Sequence, residues 1–415
     1  MKLLIAAVAL LSAAPAIARS PEQVAAEALK EAPVWDGHND VPIQLRSRFG
    51  NVLADFDFED TTAEPDGKGG TKPMHTDFNR LAQGKVGAQF WSVYVSAALS
   101  PEAAAVATVE QIDVTKRMIA RYPDRLQLAL TSADVEKAWK AGRIASLLGM
   151  EGGHSIAGSL GVLRQMYALG ARYMTLTHSQ NLPWADSATA APQHDGLTDF
   201  GKDVVREMQR LGMLVDLSHV SPATMVDALD VAGAPVMFSH SGAFGVTPHA
   251  RNVPDDILVR VRDNGGIVMV VALPAYVSDA RRQWGAGSEA EKKRLETLYP
   301  GDPAAVTREH AAWKEAHPEP LATVADMADH VDHIRKVAGI DYIGVGGDYD
   351  GMDTGPQGME DVSGYPALFA ELARRGYTKA DLEKIASGNM LRVMKAAEAY
   401  ATAHRADPPI EHDQR

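Results

Sequence analysis

An alternation limits this chain's fold more than any other feature of its sequence. Short apolar or β-branched runs recur along it, and most are followed by a stretch with apolar residues at helical spacing. Eight runs read as strands: residues 34–36, 89–95, 145–150, 173–177, 213–217, 235–239, 267–273 and 342–346. Helical patterns lie between them at 101–121, 160–169, 198–211, 221–231, 254–264 and 323–338. Ser221 and Thr323 stand where N-caps belong, and Gly170, Gly212 and Gly265 where helices should stop. Eight strands interleaved with helices predict an α/β fold, a (β/α)8 TIM-like barrel with its site at the C-terminal ends of the strands. The rival is a doubly wound open sheet, which gathers its site at one switch point. Polar residues close many of these strands, which favours the barrel. Residues 51–79 read as a long loop and 281–319 as a charged, partly helical insertion before the last strand. No repeat or linker divides residues 19–415, so a single domain is expected.

The first residues read as an address. Met1 and Lys2 precede an apolar run, Pro15 breaks it, and Ala16-Ile17-Ala18 has the small-x-small pattern of a signal-peptidase site. The run is too short for a stable transmembrane helix. Residues 1–18 are therefore expected to be a signal peptide cleaved after Ala18, delivering a periplasmic or secreted protein. The polar C-terminal residues predict no membrane anchor.

Composition narrows the chemistry. The 46% hydrophobic and 23% charged content exclude wholesale disorder, and a net charge of -13 argues against nucleic acid as a partner. There is no cysteine, which removes disulfides, thiolate metal sites, iron–sulfur clusters and thiol catalysis. Any metal must be held by carboxylates and histidines, of which there are 14.

The strand ends supply such residues. The first closes with Asp36-Gly37-His38-Asn39-Asp40, and residues two apart on an extended chain face the same way, so His38 and Asp40 can reach one ion. The third delivers Glu151 into a glycine turn, Gly149-Met150-Glu151-Gly152-Gly153, where an unpaired buried carboxylate would be costly. The fifth and sixth end in Asp216-Leu217-Ser218-His219 and Phe238-Ser239-His240-Ser241. Each motif alone has an ordinary reading as a surface turn or a satisfied structural histidine. Together at one end of a barrel they point to metal.

Asp348, in Gly346-Gly347-Asp348-Tyr349-Asp350-Gly351, is placed to move protons, whereas Asp350 fits a plain turn residue better. His178, after the fourth strand, is a candidate ligand or hydrogen-bond donor to substrate. Arg251 can grip a carboxylate through two parallel bonds, although a surface arginine is the commoner explanation. Trp184 and Asp186 are candidates for the pocket mouth. His154 reads as a helix cap or a supporting residue, and His330 and His333 as packing or solvent contacts. His75, His194, His310, His317, His404 and His412 receive no role.

These strings, with Leu176-Thr177-His178-Ser179, Asn181-Leu182-Pro183-Trp184-Ala185-Asp186, Arg251-Asn252-Val253-Pro254-Asp255 and Asp329-His330-Val331-Asp332-His333-Ile334, resemble the membrane (renal) dipeptidase family. Its members are zinc dipeptidases of the metal-dependent amidohydrolase type, and the likeness runs over nearly the whole mature chain. It implies two Zn²⁺ per chain: His38 and Asp40 on one, His219 and His240 on the other, and Glu151 bridging both. It further implies that His178 polarises the scissile carbonyl, that Arg251 and Tyr276 hold the C-terminal carboxylate, and that Asp348 shuttles a proton. Dipeptides of the L-Xaa-L-Xaa and L-Xaa-D-Xaa types would be hydrolysed by a hydroxide shared between the metals, whose pKa two dications bring near neutrality. The same ligands admit Mn²⁺ or Co²⁺. The chain lacks the cysteines and lipid-anchor tail of the animal members, so a homodimer, if formed, is not disulfide-linked. The alternatives are a binuclear amidohydrolase acting on N-acyl amino acids or related amides, and a non-catalytic periplasmic binding protein.

Overall fold

A computed structural model describes residues 19–412. The expected leader and its cleavage point after Ala18 lie outside the described residues. Nine strands form one parallel sheet: β1 (Val34–Asn39), β2 (Val86–Ser92), β3 (Leu126–Leu128), β4 (Ile144–Glu151), β5 (Ala171–Thr175), β6 (Leu214–Asp216), β7 (Met237–Ser241), β8 (Ile267–Val270) and β9 (Ile343–Val345). The order runs β2-β1-β9-β8-β7-β6-β5-β4, and β4 pairs back onto β2 from Ala88↔Ala145 to Ser92↔Gly149. That last pairing closes eight strands into a barrel and disposes of the open-sheet rival.

The eight expected strands are the eight of the barrel. β3 is the one that sequence pattern missed. It takes the first residues of β4 (Leu126↔Ile144 to Leu128↔Ser146), ahead of the stretch that pairs with β5 from Leu148 onward. Three residues are too few for a period to show.

The barrel strands are buried on both faces because helices cover the outside, which is why they read as continuous apolar runs. Trp35, Phe90, Leu147, Tyr173, Met237 and Met269 belong to one buried cluster, joined by Met390, Val393 and Met394 of the helix Asn389–Ala403. Helix ends follow local chemistry. Thr323 and Asp326 form a reciprocal capping box, and Ser221 accepts from Thr224 N. Gly170, Gly212 and Gly265 take left-handed conformations at helix ends. A cap of this kind contributes about 1 kcal/mol.

Residues 51–77 form a loop that includes the 3-10 turn Leu53–Asp55 and leads into the helix Phe78–Gln83; Phe56, Phe58 and Phe78 anchor it beside Trp91. The charged insertion is two helices, Asp279–Leu298 and Pro303–Ala316, with few buried side chains. Among the described residues no helix is long and apolar enough to cross a membrane.

Candidate metal centre

Closure brings the strand ends together. Glu151, the last residue of β4, lies at the middle. Its Oε1 is 2.9 Å from His219 Nε2, 3.5 Å from His240 Nε2 and 3.9 Å from His178 Nε2. Its Oε2 is 3.5 Å from His38 Nε2, which is in turn 3.4 Å from Asp40 Oδ2. One oxygen therefore faces His219 and His240, while the other faces His38 and, beyond it, Asp40. The donor atoms of His38, Glu151 and His240 lie within 4.8 Å of one another, as do those of Glu151, His178 and His219, and of His38, Asp40 and Asp348.

Two glycines make this convergence feasible. A Cβ on Gly351 would come within 2.2 Å of Asp40 Oδ2 and 2.6 Å of Asp348 Oδ1. One on Gly149 would strike the Tyr173 ring, whose hydroxyl is 2.7 Å from His38 Nδ1. The backbone also departs from the ordinary regions here: His219, Asp348 and Asp350 have φ of 70°, 61° and 67°. Asp348 N donates to His38 O at 3.1 Å and Asp40 N to Tyr349 O at 2.9 Å, stitching the end of β1 to the loop after β9.

Behind the convergent atoms stand buried acids that the sequence marked only as strand ends. Asp216 accepts from Thr175 Oγ1 (2.5 Å), Ser239 Oγ (2.6 Å), Ser218 N (3.1 Å) and Ser239 N (2.8 Å). Ser239 spends its proton on Asp216, so its oxygen accepts from His240 Nδ1–H at 2.8 Å. That turns the His240 Nε2 lone pair toward the centre, where it lies 2.9 Å from His219 Nε2, the orientation a metal-binding imidazole needs. Asp36 accepts from Tyr365 Oη, Gly347 N and His38 N, fixing β1 against β9.

Electrostatics fit a cation. His38 Nε2 and Asp40 Oδ1 are buried with no hydrogen-bond partner. Burial works against charge on His38, yet Tyr173, Glu151 and Asp40 outweigh it and hold the imidazole well above its ordinary value. Burial likewise opposes ionisation of Glu151, but the His38 charge and a hydrogen bond from His219 keep it well below the carboxylate range. Burial, then Arg251, depresses His219; burial, then His38 and Arg251, depresses His240, so both rings are neutral. Asp348 is pushed well up by burial and by repulsion from Asp40. Buried carboxylates and imidazoles converging on one point, with no thiolate, suit Zn²⁺ and similar ions.

A pocket of about 280 Å³ opens over these groups, lined by Asp40, Glu151, His178, His219, His240, Arg251, Tyr276 and Asp348. His38 lies beneath it, fully buried. Arg251 is not a surface residue. It is 2% exposed, its only hydrogen bonds from the guanidinium are long (3.4 Å to Ser241 Oγ and to His240 O), and its Nε has no partner. Among the described residues no carboxylate pairs with it, and the Tyr276 ring centroid is 5.4 Å from its central carbon. Tyr94 also lines the pocket, 4.7 Å ring to ring from His178. Sequence reading missed it, although it follows Ser92 at the end of β2, and Ser92 Oγ reaches Glu151 Oε2 at 3.3 Å.

Several expectations change. Trp184 and Asp186 do not line the pocket. The Trp184 ring is buried over Gly153, and Asp186 accepts the backbone N–H groups of Gln193, His194 and Gly196. Asp350 is no surface turn residue. It is 4% exposed and exchanges two bonds with His75, which therefore does have a role. His154 is the supporting residue expected, with Nε2 3.1 Å from Val95 O. His333 pairs with Asp255 at 2.7 Å, while His330 is fully buried and hydrogen-bonded.

The family described as membrane dipeptidase (peptidase family M19) matches residues 22–408. An uncharacterized dipeptidase of Schizosaccharomyces pombe is 41% identical over 406 residues, covering 94% of this chain and 87% of its own. The probable dipeptidase PvdM from Pseudomonas aeruginosa superposes with a TM-score of 0.77 at 22% identity, covering 92% of this chain and 99% of its own. A Rhodobacter sphaeroides metallo peptidase, liganded with a phosphinate mimic of L-Ala-D-Ala, gives 0.71 at 23% identity, covering 88% and 99%.

Proposed function

The chain belongs to the membrane dipeptidase family, peptidase family M19, and from that premise we propose that it is a two-zinc enzyme hydrolysing L-Xaa-L-Xaa and L-Xaa-D-Xaa dipeptides. The observation that carries the two-metal reading is Glu151, whose two oxygens address two separate donor sets. His38 and Asp40 would hold one ion, His219 and His240 the other, and Glu151 both. Bound there, zinc would supply a water acidified toward neutral pH and a Lewis acid for the carbonyl oxygen.

The remaining work falls to the chain's own groups. Arg251, buried and without a carboxylate partner, binds the substrate's C-terminal carboxylate, with Tyr276 beside it. Asp40 and Asp348 present acid to the ammonium end. His178 is kept neutral chiefly by burial, against the pull of Glu151. With Ser179 Oγ 3.1 Å from its Nδ1, Nε2–H is free to donate to the scissile carbonyl oxygen. The Asp348 carboxylate takes the proton lost by the attacking water and gives it to the leaving nitrogen. The mimic bound to the Rhodobacter relative supports including a D-residue at the second position. We also assign residues 19–415 to one catalytic domain with its insertion at 281–319, exported by the leader peptide.

The test is metal analysis beside a hydrolysis panel of L,L- and L,D-dipeptides and N-acyl amino acids, with and without chelator. About two zincs per chain and chelator-sensitive cleavage of both dipeptide series are expected. Preferential cleavage of N-acyl amino acids would overturn the substrate assignment, and one metal per chain would overturn the bridging role.

A further inference from the structure

A second and larger cavity, about 790 Å³, adjoins the metal pocket and shares Gln44, Leu273, Asp350 and Gly351 with it. Its outer walls come from segments that hold no metal: the loop around Asp66–His75 on one side, and Arg281, Trp284 and Lys314 of the insertion on the other. Five basic side chains line it. Lys72 pairs with Asp353 at 2.9 Å and Arg281 with Glu319. Among the described residues, Arg48, Lys68 and Lys314 have no carboxylate within ion-pair distance. Of the opposing acids, Asp353 and Glu319 are taken by Lys72 and Arg281, Asp66 is an ionised carboxylate that offsets part of the Lys68 charge, and Asp350 is buried. Five basic groups against Asp66, Glu319, Asp353 and the buried Asp350 leave positive charge in modest excess here, in a chain whose net charge is -13.

One helix connects the two cavities. Val41–Phe49 begins directly after Asp40. One turn on, Gln44 Nε2 donates to Asp350 O at 2.6 Å, and its Oε1 accepts from Arg48 Nε at 2.5 Å. Arg48 lies two turns from Asp40, about 12 Å along the axis at 1.5 Å per residue. Its Nη1 is fixed by Lys72 O (2.8 Å) and Pro65 O (3.3 Å), both neutral acceptors. The charge is therefore held in place but not neutralised.

The direction of the substrate follows from the dipeptidase reading, on which this inference rests. A carboxylate held at Arg251 and an ammonium drawn to Asp40 and Asp348 put the first residue on the side where Gly351 and Gln44 border the larger cavity. We infer that this cavity receives the side chain of the substrate's first residue and favours dipeptides that begin with an acidic residue, glutamate above aspartate. Arg48, Lys68 and Lys314 supply the attraction, and the longer side chain reaches further toward them.

The test compares kcat/KM for Glu-Ala, Gln-Ala and Ala-Ala on the zinc-loaded full chain. Glu and Gln match in size, so their ratio isolates charge. Several exposed pairs of about 0.2–1 kcal/mol each give an expected preference for Glu-Ala of roughly 5- to 10-fold at low salt. The preference should shrink toward unity near ~0.5 M salt, where screening is complete within a few ångströms. Lys314→Glu, on an exposed insertion helix, should lower the ratio several-fold. Arg48→Gln should do the same, and using both guards against a loop disturbance in either. Equal rates on Glu-Ala and Gln-Ala, or a ratio that neither variant moves, overturns the inference while leaving the dipeptidase reading intact. Failure to cleave Ala-Ala along with the others overturns both.

Discussion

Replacing His330 tests how the barrel fixes the loops that carry Arg251 and Tyr276. The imidazole is 0% exposed, on the helix Val324–Val337. Ala243 N donates to its Nδ1 at 2.8 Å, while its Nε2 lies 3.1 Å from Val277 O and 3.3 Å from Thr247 Oγ1. One neutral ring therefore ties the loop after β7, which carries Arg251, to the turn after β8, which carries Tyr276. Burial is the main cause that lowers its pKa from 6.5 to about 4, despite the hydrogen bond to Val277. The unfolded chain consequently binds a proton between those two values that the folded chain refuses. The stability associated with the neutral ring is complete above about pH 6.5 and is lost as pH falls toward 4. At about 1.36 kcal/mol per unit, the loss amounts to roughly 3 kcal/mol. His330→Leu removes this titration but strands the Ala243 N–H, at a cost of about 1–3 kcal/mol at neutral pH. Urea unfolding of both proteins at pH 7.5, 5.5 and 4.5 should show wild type ahead at the highest pH and its lead gone or reversed at the lowest. Parallel stability–pH curves would refute the account. A variant unchanged in stability but impaired on substrates would show that the ring positions the loops without being buried as a neutral group.

Three further substitutions bear on the centre itself. Glu151→Gln should abolish turnover and weaken metal retention together, by more than the about 10- to 100-fold typical of outer-sphere changes; normal activity with both metals bound would remove the bridging role. Asp348→Asn should keep both metals and slow hydrolysis by about 10²- to 10⁴-fold, whereas metal loss in dialysed protein would recast Asp348 as a ligand. Ser239→Ala breaks the link from Asp216 to His240 and should cost about 10- to 100-fold in zinc affinity measured by chelator competition; unchanged affinity would mean that His240 is oriented by packing alone.

The reach of the sequence was set by the range of the interactions involved. Strands buried on both faces and capped helices announce themselves within a few residues, so the barrel could be read from its alternation. The convergence of His38, Asp40, Glu151, His219 and His240 could be read because a closed parallel barrel places every strand's C-terminal end on one rim. Groups whose meaning depends on distant partners were misread. Asp350-Gly351 looks like any turn until His75, from a loop near the other end of the chain, bonds both its side chain and its backbone. His330 and His333 read alike as packing or solvent contacts, and nothing local says that the partners of His330 come from the loops after β7 and β8. Asp216 closes a correctly placed strand and Tyr94 lies two residues past the end of β2, but nothing local says which of these groups lines the pocket and which stands behind it.

The misread residues share a function that the ligands cannot perform for themselves. Three of the rim residues, His219, Asp348 and Asp350, hold left-handed backbone that costs of order 1–3 kcal/mol each in a non-glycine residue. A carboxylate at the bottom of the same pocket is buried among three imidazoles. Left alone, such a rim would relax by turning its ligands outward. Asp36, locked by Tyr365 and Gly347, and Asp216, locked by two hydroxyls and two backbone amides, prevent that relaxation by making any shift of β1, β6 or β7 break several buried hydrogen bonds at once. The converging geometry is thus maintained by acids that do not line the pocket, and substituting either should disperse the centre before it unfolds the barrel.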